Sequence, residues 1–331
     1  MKQRIGVRFR RIFLVFLVLA ASGIWATAHL AARRLLIPNR KTPNEHHEKI
    51  LADPAEFGLR IEPFQAIGAQ GAEIRALWVA ADPHPGRAAK FRRMRTRLGI
   101  AESARLEPRG TVFLLHGRGG CKEDNLLIAE RFCAAGFNCV AVDLRAHGQS
   151  GGRFSTYGRL ETLDMKAVID SALANHGSEV GPIALWGISL GAAVAIQAAA
   201  ADLRIEALIS ICAFADLSEV VELRGERLIS RVGRGFGALT VLEASRHSGS
   251  NLFRAEPLVS ASILKIPVML IHAELDGVIP VEHARRIFRE VPGVGKRLKI
   301  IPAATHGNVL MKGGDELYQQ MIEFLLAELP D

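Results

Sequence analysis

The chain has 331 residues, 49% of them hydrophobic, which is enough for one large domain or two small ones with a substantial core. Its net charge of +8 lies at one end, because residues 1–41 carry nine Lys and Arg and no acid, while the remainder carries 33 bases and 34 acids. The body of the protein is therefore not basic, and we expect no nucleic-acid partner.

The first forty residues have the pattern of a membrane segment. Residues 1–11 are basic, and residues 12–32 contain no Asp, Glu, Lys or Arg. A helix of that length crosses a hydrocarbon core of about 30 Å. The alternative is a signal peptide cleaved after Ala26-Thr27-Ala28, but the uncharged stretch runs past that site and favours an uncleaved anchor. The five bases before it predict that the N-terminus is inside the cell and that the body is extracytoplasmic (periplasmic), or secreted if the segment is cleaved.

Two polar segments carry histidines or bases without a clear ligand pattern. Residues 33–58 are predicted to be a linker with at most one helical turn. Within it, "NEHHEK" (44–49) is interpreted as solvated surface, since adjacent histidines cannot share one face of a helix. The basic run at 87–97 holds six bases and no acid, and is interpreted as a solvated excursion between strands. Contact with anionic lipid head groups is the alternative for that run.

From residue 59 onward, short apolar runs alternate with helical ones. "LRIEPFQAI" and "EIRALWVAAD" predict an initial hairpin, and the later strand runs are "TVFLLHG", "NCVAVDLR", "PIALWG", "IEALISICA", "IPVMLIHAELD" and "KRLKIIPA". Helices are predicted between them, at 124–137 and 161–176 and in "SLGAAVAIQAAAA", "VEHARRIFREV" and "GDELYQQMIEFLLAEL". This alternation predicts an α/β fold with a mostly parallel sheet and helices on both faces. Residues 214–257 interrupt the pattern and are interpreted as a lid above the strand ends.

Side chains with catalytic chemistry follow the predicted strands, where ligands gather in parallel sheets. Ser189 lies in "WGISLG", a glycine-flanked turn between a strand and a helix. A serine hydroxyl needs a base, and His306 in "ATHGN" follows the last strand. Asp276 follows the preceding strand and is expected to orient the imidazole. Glu274 is the alternative acid; Asp276 is preferred because Glu274 is expected to lie in the strand or just beyond it.

The glycine-rich loop "HGRGG" (116–120) follows another strand. Its Arg118 amide and the amide of Leu190 are predicted to form an oxyanion hole. His116 is interpreted as a structural residue of this loop, and the same interpretation applies to Asp143, Arg145 and His147. The four cysteines have no metal-ligand spacing, so neither a metal nor a cofactor is expected, and a Cys133–Cys139 disulfide is left open.

Five motifs together resemble the α/β-hydrolase superfamily: "LLHGRGG", "VDLRAHGQSGG", "WGISLGAAVA", "IPVMLIHAELDGVIP" and "THGN". The resemblance covers about residues 59–329 of the 59–331 domain and is greatest to bacterial esterases and serine-aminopeptidase-like hydrolases with a short lid. It implies an eight-stranded sheet with Ser189 on a nucleophile elbow. Two loops depart from the family pattern, with Ala146 and Ala273 in place of glycine.

The function implied is that of a serine hydrolase which cleaves a small carboxylic ester through an acyl-enzyme on Ser189. Three alternatives use the same residues or the same fold. A peptidase or amidase and an acyltransferase both need the same triad. A binding protein that has lost its chemistry is disfavoured, because all three triad residues are present.

Overall fold

The computed structural model describes residues 2–83, 89–293 and 295–330, with side chains from Phe13 onward. Eight strands form one sheet in the order β1-β2-β4-β3-β5-β6-β7-β8. The strands are β1 (Leu59–Ile67), β2 (Glu73–Ala81), β3 (Thr111–Leu115), β4 (Asn138–Val142), β5 (Ile183–Ile188), β6 (Ile205–Ile211), β7 (Val268–Ala273) and β8 (Lys296–Ile301). β1 and β2 form the predicted antiparallel hairpin, β2 is antiparallel to β4, and all other pairs are parallel. The predicted fold class is confirmed.

Eleven α-helices are found in the described residues. They are α1 (Lys2–Leu36), α2 (Glu45–Ala52), α3 (Ala89–Arg97), α4 (Leu126–Ala134), α5 (Glu161–His176), α6 (Leu190–Ala201), α7 (Leu217–Ile229), α8 (Val232–Ser248), α9 (Pro257–Ala261), α10 (Glu282–Glu290) and α11 (Val309–Glu328). Helices cover both faces of the sheet, because the side chains of its central strands alternate between two cores. In β3, Val112 and Leu114 enter one core, and Phe113 and Leu115 enter the other.

The segment between β6 and β7 is helical, which the sequence did not predict. α7 and α8 pack against each other as an antiparallel pair within residues 214–257, the segment for which a lid was predicted. Small residues let their backbones approach closely: a Cβ on Gly225 would lie 2.1 Å from the carbonyl oxygen of Gly233. Glycines do not count as apolar in a periodicity search, so this contact left no apolar pattern to detect.

Two polar segments each bury one face against the body, so their interpretation as solvated holds only for the residues on the other face. The region after α1 contains α2, whose His47 is 4% exposed and whose ring lies 3.6 Å from the Asp124 carboxylate. The basic run at 87–97 forms α3, which buries Phe91 and Arg95. The Arg95 side chain donates to backbone carbonyls, including that of Ala134 at 3.2 Å. Residues 87 and 88 of that run lie outside the described part of the chain.

The N-terminal helix α1 extends beyond the predicted membrane segment and packs against the body. Within the described residues it is the one helix long and apolar enough to cross a membrane, over Phe13–Leu36 with a mean hydropathy of 1.9. Residues 13–27 are all exposed, whereas Ala28, Ala32 and Leu36 are fully buried. The last turns of this apolar helix therefore belong to the body of the protein.

Candidate active site

Ser189 lies at the sharp turn between β5 and α6. Its φ of 55° and ψ of −114° are strained for a residue with a side chain. The flanking glycines are required by close backbone contacts: a Cβ on Gly187 would lie 2.3 Å from the carbonyl oxygen of Gly191, and one on Gly191 would lie 2.2 Å from that of Leu115. The turn therefore holds the serine hydroxyl at the carboxyl edge of the sheet and at the N-terminus of a buried helix.

The three predicted triad residues are brought into one hydrogen-bonded series. The Nε2 atom of His306 lies 2.9 Å from the Ser189 Oγ, and its Nδ1 atom lies 2.7 Å from Oδ2 of Asp276. Ser189 follows β5, Asp276 follows β7, and His306 follows β8. The order of the strands in the sheet therefore assembles residues that are far apart in the chain.

The Asp276 carboxylate is held by donors on both oxygens. Its Oδ1 accepts hydrogen bonds from the amides of Val278 and Ile279, each at 2.8 Å, and its Oδ2 also lies 3.4 Å from Nε2 of His272. Burial of the carboxyl opposes ionisation, but the hydrogen bonds from His272, His306 and the Ile279 amide outweigh it and hold the Asp276 pKa well below its usual range. The group is therefore an anion whenever the protein is folded near neutral pH.

His272 is a buried neighbour of Asp276 to which the sequence assigned no role. It lies four residues before Asp276 in "HAELD" and is fully buried. Its Nε2 also lies 2.9 Å from the carbonyl oxygen of Ile279, so it contacts the loop that carries the acid. The alternative acid Glu274 takes no part in the series, since its carboxylate accepts the amide of Ala303 at 2.9 Å. The histidine-to-aspartate spacing was the signal available in the sequence.

The glycine-rich loop lies beside the serine. A Cβ on Gly117 would be 3.6 Å from the Ser189 Cβ. Within the described structure, the amides of Arg118 and Leu190 donate no hydrogen bond to another residue. Both are the amides that the sequence nominates for the oxyanion hole. The Arg118 side chain turns away, toward the Tyr157 hydroxyl at 3.1 Å and the backbone carbonyl of Arg34 in α1.

Buried polar contacts fix the loops around the site. Nε2 of His116 accepts the amide of Leu144 at 3.1 Å, and burial lowers the pKa of this imidazole. The Asp143 carboxylate accepts both the backbone amide and the ammonium of Lys122, at 2.6 and 3.0 Å. Two further loop residues have contacts of the same kind: Arg145 forms a bidentate pair with Asp164, and His147 contacts the Arg145 carbonyl.

The arrangement combines the parts needed for nucleophilic catalysis. A hydroxyl is aligned with an imidazole, the imidazole is aligned with a buried carboxylate, and the two amides without an acceptor belong to the residue after Ser189 and to the glycine-rich loop beside it. Such a set can move a proton from the serine to the histidine while an oxyanion forms beside it.

Comparison with known proteins identifies the class of protein to which this chain belongs. The family described as serine aminopeptidase, S33, matches residues 106–256. The chain is 30% identical over 222 residues to YqkD of Bacillus subtilis, covering 65% of this chain and 70% of that protein. It is 26% identical over 193 residues to the lysophosphatidylserine lipase ABHD12 of Macaca fascicularis, covering 56% of this chain and 46% of that protein. The Pyrococcus furiosus esterase Pf2001 has the same fold, with a TM-score of 0.66 and 20% sequence identity. The superposition covers 90% of this chain and 99% of the esterase.

This chain belongs to the α/β-hydrolase superfamily, and it is a hydrolase of that fold. The resemblance seen in its five motifs is thereby confirmed.

Proposed function

We propose that the protein is a serine hydrolase that cleaves carboxylic esters, with Ser189 as nucleophile, His306 as base and Asp276 as the orienting acid. The observation that carries this proposal is the continuous series from the Ser189 Oγ through the imidazole to the buried carboxylate, at 2.9 and 2.7 Å. The strained backbone of Ser189 supports it, because strain of this kind persists where function requires it.

The reaction proceeds in two halves. The Ser189 oxygen attacks the ester carbonyl carbon while His306 Nε2 takes the hydroxyl proton, and the amides of Arg118 and Leu190 stabilise the negative oxygen. The tetrahedral intermediate then expels the alcohol, which takes the proton from His306. Water attacks the acyl-enzyme by the same route, which releases the acid and restores the serine. Asp276 stays ionised throughout and stabilises the imidazolium that forms in each half.

An ester is the first choice of substrate because its leaving group departs more readily than an amine. The Pf2001 structure is described as an esterase and ABHD12 as a lipase, which supports the same choice. A peptidase is the second candidate, favoured by the serine aminopeptidase description of the matching family. An acyltransferase would use the same acyl-enzyme with an alcohol in place of water.

Fluorophosphonate labelling tests the nucleophile. We expect the purified protein to be labelled at one serine and Ser189→Ala to lose the label. Ser262→Ala, a change at an exposed serine in the turn after α9, is the matched control and should label normally. Labelling that persists in Ser189→Ala, or is absent from the wild type, contradicts the assignment. Initial rates on p-nitrophenyl esters and on aminoacyl anilides then separate esterase from peptidase.

The location that we propose is the cytoplasmic membrane, with α1 as an uncleaved anchor and the body outside the cytoplasm. The uncharged stretch at residues 12–32 of this helix and the five bases before that stretch support this orientation. Burial of Ala28, Ala32 and Leu36 also favours a retained helix, because cleavage after Ala28 would leave the first turn of the docked segment frayed. N-terminal sequencing of the mature protein decides: a start at His29 would rule out the anchor.

A further inference from the structure

The anchor helix and the lid helix are joined by a group of three metal-ligating side chains. His29 comes from α1, and Glu243 and His247 come from α8; one ligand atom of each lies within 4.8 Å of the other two. The two imidazoles meet edge to face, with ring centroids 4.5 Å apart and Nδ1 of His29 3.0 Å from Nε2 of His247. Neither histidine contacts the triad, so the group is separate from the candidate active site.

The chemistry of the group suits a transition-metal ion. Glu243 and His247 are four residues apart and therefore share one face of α8, which is the spacing that lets two side chains bind one ion. Glu243 is only 4% exposed, and the one hydrogen bond its carboxylate accepts among the described residues comes from exposed Arg246, at 3.3 Å. This contact is an ion pair with an exposed guanidinium, which compensates the buried carboxylate only weakly, and the two imidazoles beside the carboxylate favour a cation among the three.

The two imidazole nitrogens have nearly the separation that a bound zinc ion requires, and a carboxylate oxygen of Glu243 lies within 4.8 Å of both. Metal–ligand bonds of about 2.0–2.1 Å in a tetrahedral site place the ligand atoms about 3.3 Å apart. The two histidine nitrogens are 3.0 Å apart, so they need to separate by only a few tenths of an ångström. His247 is exposed, which gives an ion a path into the site and leaves room for water in the fourth position.

The group lies near the end of the predicted membrane-spanning part of α1. About 20 residues are needed to cross the hydrocarbon core. Counted from Ile12, that length ends at Ala31, so His29 lies within one turn of the point where the helix leaves the core. A histidine at such a position in an anchor is costly unless it has a partner, which again points to a role for the group.

Two other groups of possible ligands are weaker candidates. In the first, His47 lies with Cys121 and Asp124, but the Asp124 carboxylate already accepts the Lys41 ammonium. In addition, burial raises the pKa of the Cys121 thiol to about 12, so the thiol stays protonated. The second combines Cys212, His272 and Asp276, and its carboxylate is part of the candidate triad.

We propose that His29, Glu243 and His247 bind one divalent transition-metal ion of the zinc class, which fastens the lid helix α8 to the membrane helix α1. The ion would restrain the lid relative to the anchor without touching the reacting atoms. The inference does not depend on the proposed ester hydrolysis, because its test measures metal binding and not activity.

Titration of the full chain in detergent micelles, without a histidine tag, tests the site with Zn²⁺ and Co²⁺. We expect one equivalent of Co²⁺ to give the visible absorption of a four-coordinate ion without a thiolate charge-transfer band, and Zn²⁺ to displace it. His247→Ala and Glu243→Gln should each weaken binding at least tenfold. His46→Ala, a change at an exposed histidine of α2, is the matched control and should bind as the wild type does.

Three results would overturn the proposal. The first is the absence of binding to the wild type at a tenfold molar excess of either ion. The second is unchanged affinity in His247→Ala, and the third is a thiolate band, which would place the ion at Cys121 or Cys212. Thermal unfolding provides a check on folding: without metal the variants should melt near the wild-type Tm, and Zn²⁺ should raise the Tm of the wild type and of His46→Ala alone.

Discussion

Replacing Asp276 by asparagine tests how the carboxylate acts on His306. Oδ1 of Asp276 accepts hydrogen bonds from the backbone amides of Val278 and Ile279. If the NH₂ group of an asparagine stood there, it would face two other hydrogen-bond donors and no acceptor. The asparagine must therefore keep its oxygen at that site and direct its NH₂ group at Nδ1 of His306, which the carboxylate reaches at 2.7 Å. This forces the imidazole into the tautomer with its proton on Nε2.

That tautomer cannot take the proton of Ser189, whose Oγ lies 2.9 Å from Nε2. The imidazolium also loses its anionic partner. In serine hydrolases of this design the same change lowers kcat by about 10⁴-fold, and we expect a similar loss here. Such a loss is equivalent to about 5 kcal/mol in the activation free energy.

The assay is kcat/KM on a p-nitrophenyl ester at pH 8, with Tm measured on the same samples to exclude unfolding. Glu274→Gln is the matched control: glutamine can still accept the amide of Ala303, so activity should stay within about threefold of the wild type. The reasoning fails if Asp276→Asn keeps more than a tenth of the activity, or if Glu274→Gln loses as much. Because the Asp276 pKa lies well below its usual range of about 3.9, protonation of this group should not limit activity above about pH 4.

Three further predictions concern stability, measured by denaturant unfolding. Gly191→Ala should lower the free energy of unfolding by about 1–3 kcal/mol, because its Cβ would lie 2.2 Å from a carbonyl oxygen of β3. Gly235→Ala is the control: no atom lies within 4 Å of its Cβ, so this change should be neutral or stabilising. Equal effects of the two changes would contradict the steric argument. Burial, with neighbouring His116, lowers the pKa of His147 to about 3, so its contribution to stability is complete above about pH 6.5 and declines as the pH falls. Between neutral pH and pH 5, His147→Gln should therefore lose about 2 kcal/mol less stability than the wild type, and an equal loss in both proteins would contradict the argument. Arg145→Met should cost about 3–5 kcal/mol by leaving the Asp164 carboxylate buried without its partner, and Asp164→Asn in the same background should recover part of that loss.

Much of the fold and of the candidate site was determined by the sequence itself. Short apolar runs that alternate with amphipathic ones can bury their surfaces only as a sheet between two layers of helices. Parallel strands then bring their carboxyl ends to one edge, so Ser189, Asp276 and His306 had to approach one another there. The local sequence pattern was sufficient to predict this site, because each of the three residues lies within a few positions of the end of its strand.

Contacts between distant segments were decided by the tertiary structure alone. His47 and Arg95 are polar residues in polar stretches, and only their packing against other parts of the chain buries them. Helices α7 and α8 meet through glycines, which leave no apolar period. The docking of α1 on α8, and with it the meeting of His29 and His247, brings together residues 218 positions apart. Periodicity reports which face of an element is buried, whereas the partner that buries it is set by the three-dimensional path of the whole chain.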